Sequence, residues 1–538
     1  MLPDGEKLFR ENLGCLAAAD PGLAARIAQV RPAPHLEFVE ARSGALVPCA
    51  KRAGGSVALH SLFDPQREAR RLYAATRGSG YLACLGLGAG FVPALFVEDP
   101  EPTGLLIIEK DPQVLHALFR ALSFCPVLSD PRVRLVAGTG DIRASLASSF
   151  LPAISRDLRT VLLKPWCDEE REFFSRAADE VRAAVADIRS DFSVQAHFGK
   201  RWFANTLLNI ASAPETFPVL PQCSEAHITA AGPSLEQGIP LLARRSPASF
   251  LLATDTSLPA LVQQGVRPDA VVSLDCQIHS YRHFLAAMPR DILYFFDLAS
   301  PAFLPRRAGA RCLFYASAHP FSQFASIHWM RLPRVDSTGG SVTHAAFSLA
   351  RALGARTIHV YGADFSYPAG KAYARGTYQY DYFRGGESRL LPLESSFFSF
   401  IRRSALVREV QNGVPCYTTS LLLHYKARFE KLQANPGPEL FHGGKQPSTA
   451  EMHMREFLPG YRQLLQNLPA PSPPMGRYIM SLTADQRGLL STILPIAASV
   501  IRETPDAAAG AAALETARQW ALGRLWRLTA GSAQIRQD

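Results

Sequence analysis

The sequence predicts an α/β protein with two Rossmann-like parallel-sheet domains and a helical C-terminal region. Three observations predict this. Short apolar runs alternate with helical stretches from about residue 80 to about 385, the pattern of parallel strands joined by helices. Two glycine turns, Gly86-x-Gly88-x-Gly90 and Gly232-Pro233-Ser234, each stand between an apolar run and a helix start. Beyond about 400 the strand pattern fades, and "TADQRGLLSTILPIAASVIRE" and "AAAGAAALETARQWALGRLWRL" carry apolar residues at helical spacing.

A chain of 538 residues with 47% hydrophobic and 19% charged residues can bury several cores. We expect an N-terminal α+β segment over 1–75, a Rossmann-like domain over 76–195, a second α/β domain over 196–400 and a mostly helical region over 401–538. In the first segment "LEFVEARSG" and "SVALHSLF" read as strands. "DPQREARRLYAA" reads as a helix capped by Asp64 with Pro65 in its first turn. In the second domain "YLACL", "TGLLIIE", "RVRLVAG" and "TVLLKP" read as strands. In the third, strands are expected at His227–Ala230, Phe250–Thr254, Ala270–Leu274, Leu293–Phe296, Cys312–Tyr315 and Thr357–Tyr361, with a helix at Ser341–Leu353.

The net charge is +10, but Lys and Arg are scattered in pairs such as Arg402-Arg403. No basic block points to nucleic acid; the mild positive excess suits an anionic small molecule equally well, and on its own it means only solubility. Nine cysteines lie far apart with no CxxC and no zinc spacing. They read as buried free thiols of a reducing compartment. "MLPDGEKLFRENLGCL" lacks the apolar core of a secretion signal, and no apolar run nears the roughly 20 residues of a membrane span. A cytoplasmic protein is expected.

Two regions carry chemistry. Gly86, Gly88 and Gly90 follow a strand and open a helix, and Glu109 closes the next strand. A carboxylate there can take two ribose hydroxyls, so these residues form a possible second nucleotide site. The plain structural reading is a Rossmann-like turn that binds nothing. In the third domain four strands run out on aspartate, at Asp255, Asp275, Asp297 and Asp364. In a parallel sheet these tips share one edge with the Gly232-Pro233-Ser234 loop, where ligands bind. Helix capping is the alternative for each aspartate alone. Gly339, Gly340 and Ser341 precede another helix, whose N–H groups attract phosphate, and Ser341 is equally a natural cap. His344, one turn in, is a candidate base. "FSYPAGKAYARGTYQYDYFRGG", with Lys371 and five tyrosines, reads as a lid or rim.

"AAGPSL", "ATDTSLPALVQQGVRPDAVVSLD" and "TGGSVTHAAFSLARALGARTIHVYGADFSYPAGKAYA" together resemble the 6-hydroxymethylpterin diphosphokinase MptE-like domain. "LHSLFDPQREA", "LGLGAGF…IIEKDP" and "KRWFANTLLNI" resemble the motility-associated factor (Maf) glycosyltransferases that carry this domain. The resemblance covers about 60–385. It implies a transferase that takes a nonulosonic-acid-type sugar from a CMP donor and places it on Ser or Thr of a flagellin-like protein, with no cofactor. By that resemblance Gly232, Pro233, Ser234, Asp255, Asp275, Gly339, Gly340 and Ser341 bind the nucleotide, and His344, Asp364 and Lys371 are catalytic. Ala230 stands where the family loop usually begins with glycine. Two alternatives remain. One is an ATP-dependent diphosphokinase acting on a pterin-like substrate with Mg2+ on Asp275 and Asp364, although no P-loop is present. The other is an inactive nucleotide-binding or assembly factor.

Overall fold

The computed structural model describes residues 5–214, 216–285, 288–336, 340–411, 413–434, 454–504 and 510–534. The chain divides into two compact units, Met1–Gly199 with Asn467–Trp520 and Lys200–Gln466 with Ala521–Asp538. The 41-residue helix Arg171–Ala211 contributes to both in sequence.

In the first unit, β1 (Leu36–Glu40), β2 (Leu46–Arg52) and β3 (Gly55–Ala58) form an antiparallel sheet in the order β1-β2-β3. The helix Pro65–Ala74 follows. Asp64 accepts the Arg67 N–H and Pro65 opens the first turn, as the sequence predicts. Then β4 (Tyr81–Leu85), β5 (Gly104–Glu109), β6 (Val133–Ala137) and β7 (Leu158–Leu162) form a parallel sheet ordered β6-β5-β4-β7. β4 and β5 are buried along their whole length. This explains why they read as unbroken apolar runs rather than alternating ones. Phe9, Leu16, Leu23 and Ile27 from two N-terminal helices pack into the same core as Ile107 and Ile108.

The second unit holds the larger sheet: β8 (Glu225–Thr229), β9 (Phe250–Thr254), β10 (Ala270–Ser273), β11 (Leu293–Asp297), β12 (Cys312–Tyr315) and β13 (Thr357–Tyr361). All its pairings are parallel, in the order β12-β11-β10-β9-β8-β13. The chain leaves β8 toward β9 on one side and returns as β13 on the other. The order therefore reverses at β8 and β13, and open sheets of this kind bind ligands outside the strand ends beside such a reversal. The helix Val342–Ala352 covers the sheet with a face of Ala345, Ala346, Leu349 and Ala350. Small residues there let the helix lie close.

Two expectations are corrected. Strands do not fade at 400: β14 (Tyr367–Pro368), β15 (Val407–Gln411) and β16 (Val414–Thr418) form a small antiparallel sheet ordered β14-β16-β15. The Gly413 turn, at φ 78°, joins β15 to β16. The lid stretch also holds a helix, Tyr378–Gly385, with Thr377 accepting the Tyr380 N–H. The cysteines are not all free, because Cys15 and Cys125 are joined as a disulfide with Cα atoms 5.6 Å apart. Their separation of 110 residues hides that pairing from sequence. The stretch "ANPGPELFHGGKQPST", whose Gly and Pro content predicts a loop or linker, lies, from residue 435 on, outside the described residues. No described helix is long and apolar enough to cross a membrane.

Candidate functional site

At the reversal point β8 and β13 pair with Thr229 beside Tyr361, and both chains then turn. The two turns interlock. Ala230 donates its N–H to Tyr361 O (2.8 Å) and Gly232 to Gly362 O (2.9 Å). A Cβ on Gly232 would overlap the Asp364 carboxylate. The Ser234 N–H, at the start of the helix Leu235–Ala243, donates to Asp364 Oδ2 at 3.0 Å. The anion held by the Gly-Pro-Ser loop is therefore the protein's own carboxylate. Helix N-termini attract negative charge of any origin. Ala230 is buried.

Lys371 is also engaged. Its Nζ donates to Glu236 Oε1 at 2.5 Å and lies 5.3 Å from the centre of the Tyr380 ring. Burial alone would raise the Glu236 pKa, but the Lys371 ammonium and the Arg375 N–H outweigh it and hold it below the usual value. Ala374 N–H bonds to Ala231 O at 2.9 Å, so the root of the lid is stitched to the loop after β8.

The four aspartates stand in one row. Along the sheet edge the order is Asp297 (β11), Asp275 (after β10), Asp255 (after β9), the Gly232 loop (after β8) and Asp364 (after β13). At about 4.8 Å per strand the row is roughly 19 Å long. Asp275 and Asp364 are three strands apart, roughly 14 Å at the strand ends. A single Mg2+ needs its oxygens at about 2.1 Å, so the structure does not bring this pair together around one ion.

Each aspartate has its own setting. Asp255 is buried, accepting from Ser273 Oγ (2.6 Å) and the Thr256 N–H (2.7 Å). Burial raises its pKa, opposed by the nearby His283. Asp297 is fully buried and accepts the Ala299 N–H at 2.6 Å. Burial pushes its carboxyl up to about 7, with the Ser317 hydroxyl offsetting part of the rise. Asp297 therefore takes up a proton on folding. Its contribution to stability is full below about pH 4 and is lost as the pH rises through 7. Asp297→Asn is expected to remove that dependence and to stabilise the protein at pH 8 by up to about 4 kcal/mol. Denaturant titrations at pH 5 and 8 would read this, and an unchanged slope would show an ionised Asp297.

Asp275 is exposed and accepts the Gln277 N–H at 2.8 Å. It faces a hollow of about 320 Å3 between the 3-10 helix Ile278–Phe284 and the lid helix. That wall carries four basic side chains, His279, Arg282, His283 and Arg403, and the aromatic rings of Tyr378 and Tyr382. The Arg282 guanidinium lies 5.7 Å from the centre of the Tyr378 ring. His283 Nδ1 and Gln379 Oε1 line the hollow, both buried and without a hydrogen-bond partner. Buried polar atoms left without partners are rare and mark places where a water or ligand group belongs. Arg282 and His283 were missed in sequence because "IHSYRHF" has neither a two- nor a 3.6-residue period, and Arg403 read only as one of the scattered basic pairs.

The second glycine turn does less. Ser341 caps its helix by accepting the Thr343 N–H (3.3 Å). A side chain on Gly340, at φ 74°, would crowd the Tyr425 ring. Gly339 lies outside the described residues. His344 is buried against the rings of Phe365, Tyr425 and Phe429, with Nε2 3.0 Å from Tyr425 O. Burial lowers its pKa. It does not line the hollow that holds Asp275.

In the first unit Gly86, Gly88 and Gly90 all have positive φ, 91°, 54° and 77°. The space their missing side chains leave is filled from within. Gly88 meets His60 and Leu163, Gly86 meets Trp166 and Gly90 meets Phe124. His60 Nε2 accepts the Ala89 N–H at 2.9 Å. Glu109 is fully buried and accepts three donors: Leu87 N–H (2.9 Å), Lys110 N–H (2.8 Å) and Trp166 Nε1–H (2.7 Å). About 10 Å3 is left beside the loop, against several hundred for a ligand pocket.

Residues 203–370 match the family described as 6-hydroxymethylpterin diphosphokinase MptE-like. A relative from Treponema pallidum (strain Nichols), described as an uncharacterized protein, is 35% identical over 157 residues, which cover 28% of this chain and 73% of the relative. The chain belongs to the MptE-like family. A second uncharacterized Treponema pallidum protein is 33% identical over 163 residues, 30% of this chain and 57% of its own length. A third is 27% identical over 219 residues, 38% of each chain. This MptE-like protein therefore spans little more than half, or less, of some of its relatives. A solved structure titled "Structure of MAf glycosyltransferase from Magnetospirillum magneticum AMB-1" superposes with a TM-score of 0.55 at 14% identity, over 98% of this chain and 96% of that one. The MptE-like protein thus shares that fold over nearly its whole length, beyond the stretch of about 60–385 that its motifs cover.

Proposed function

We propose that the protein is a glycosyltransferase that takes an anionic sugar from a nucleotide donor and adds it to a hydroxyl of a protein. The observation that carries this reading is the 320 Å3 hollow beside Asp275, after β10, with Arg282, Arg403, His279 and His283 around it and tyrosine rings on one wall. Guanidinium groups pair with phosphate and carboxylate, and tyrosines stack on bases and sugars. The donor that fits is a CMP-nonulosonate, whose phosphate and sugar carboxylate are both anionic, and the acceptor is Ser or Thr of flagellin or a similar protein. The shared fold of the Maf glycosyltransferase supports it.

In transfer, the bond from the anomeric carbon to the phosphate oxygen breaks and CMP departs with the electron pair. The acceptor oxygen forms the new glycosidic bond and its proton passes to a base. His283 or His279 is the base in this reading, in place of His344. Arg282 and Arg403 stabilise the departing phosphate. Asp275 faces the positive charge that develops on the sugar. No metal or other cofactor is required. None of Gly232, Pro233, Ser234, Asp255, Gly340, Ser341 and Asp364 lines the hollow; in this reading they hold the turns of the sheet edge.

Arg282→Ala is expected to weaken CMP binding about tenfold, read by calorimetry. Equal binding would place the nucleotide elsewhere. The function itself is tested by incubating the protein with a CMP-nonulosonate and flagellin. Flagellin should gain the mass of the sugar residue. No gain there, and unchanged flagellin mass in cells lacking the protein, would overturn the reading.

A further inference from the structure

A second hollow of about 360 Å3 adjoins the first and shares His279 with it. It lies between the helix Phe303–Ala308, the segment after β10 and the C-terminal end of the helix Arg171–Ala211. Its character differs. Ile278 is 63% exposed, Phe303 38% and Leu208 37%, an apolar group in the open on a mostly polar surface. Arg201 and Arg306 stand among them, and no carboxylate lines the hollow. Arg306 Nε bonds to Ala302 O at 3.0 Å, which orients the guanidinium from its own helix.

We infer that this groove is the seat of the acceptor polypeptide, an extended segment with apolar side chains and at least one Asp or Glu near the Ser or Thr that is modified. This rests on the glycosyltransferase reading. Charge complementarity selects the occupant: the exposed Arg306 guanidinium, in a lining without a carboxylate, attracts acidic partners and repels basic ones. The exposed Ile278 and Phe303 supply the anchor that a nucleic acid or a free sugar would not use. Continuity places it, because His279 belongs to both hollows and a hydroxyl held in one can reach a sugar held in the other.

The test uses the full chain and fluorescein-labelled Ser/Thr peptides, one with Glu flanking an apolar core and its counterpart with Lys, read by fluorescence polarisation. The wild type is expected to bind the Glu peptide at least tenfold more tightly than the Lys peptide. Arg306→Glu should abolish that preference and Ile278→Asp should weaken both peptides at least fivefold, while CMP affinity stays unchanged in each. Both residues are exposed, and unaltered melting would confirm that the variants fold. Equal binding of the two peptides, or an unchanged preference in Arg306→Glu, would overturn the proposal. So would displacement of the Glu peptide by a single-stranded oligonucleotide, or self-association that Ile278→Asp abolishes. Loss of CMP binding with peptide selectivity intact would strike the donor reading and leave the groove standing.

Discussion

Gly362→Ala is expected to destabilise the second unit by about 3 kcal/mol or more. Two costs combine. Gly362 sits at φ 73°, where L side chains rarely go, and a Cβ there would overlap the carbonyl oxygen of Ala230 and press on Leu235. The first is a backbone cost of about 1–3 kcal/mol. The second cannot be relieved by a rotamer change, because the obstacle is main chain. Relief would require the β8 and β13 turns to separate, which would also strain the Gly232–Gly362 and Ser234–Asp364 hydrogen bonds. Urea unfolding should show it, and a loss below about 1 kcal/mol would mean that the two turns are not locked together.

Glu109→Ala should cost the first unit about 3–5 kcal/mol. Its carboxylate satisfies two backbone N–H groups and the Trp166 indole in a site closed to water. Removing it orphans three buried donors at about 1–3 kcal/mol each, less what relaxation recovers. Glu109→Gln should cost less, because one amide oxygen still accepts. Burial raises the Glu109 pKa while its donors lower it, so part of the loss in the alanine variant is offset by removing a strained charge. Thermal melting of the two variants beside wild type would rank them. A silent Glu109→Ala would show a water-filled loop, and it would revive the nucleotide reading of that carboxylate.

Much of the fold is legible in the sequence. Phe250–Thr254, Cys312–Tyr315 and Thr357–Tyr361 are strands at the bounds their apolar runs predict. Phe250–Thr254 and Cys312–Tyr315, buried almost throughout, advertise themselves by composition, whereas the edge strand Thr357–Tyr361 is partly exposed and reads from its β-branched and aromatic residues. Strands β15 and β16 do not, since "VREVQ" and "VPCYT" are short and partly exposed. The rim of acids was legible too, because Asp after an apolar run marks a strand end. What each carboxylate meets was not. Glu109 meets Trp166 from 57 residues away and Asp364 meets Ser234 from 130. Glycine turns were legible as turns, but a motif cannot say whether a ligand or the protein's own His60 and Asp364 occupies the space it opens. The basic wall of the hollow was missed for a related reason: His279, Arg282 and His283 lie on a 3-10 turn with no periodic signature.

The stitching at the root of the lid pins that segment to the turns after β8 and β13. Asp364 on the Ser234 amide, Lys371 on Glu236 and Ala374 on Ala231 fasten the chain up to Thr377. The helix that starts at Tyr378 is held in turn by Tyr380 and Phe383, which pack with Phe397 and Phe400, while Tyr382 faces solvent. In the glycosyltransferase reading, nucleotide exchange would then respond to changes at Tyr382 while the anchored turns stay as they are.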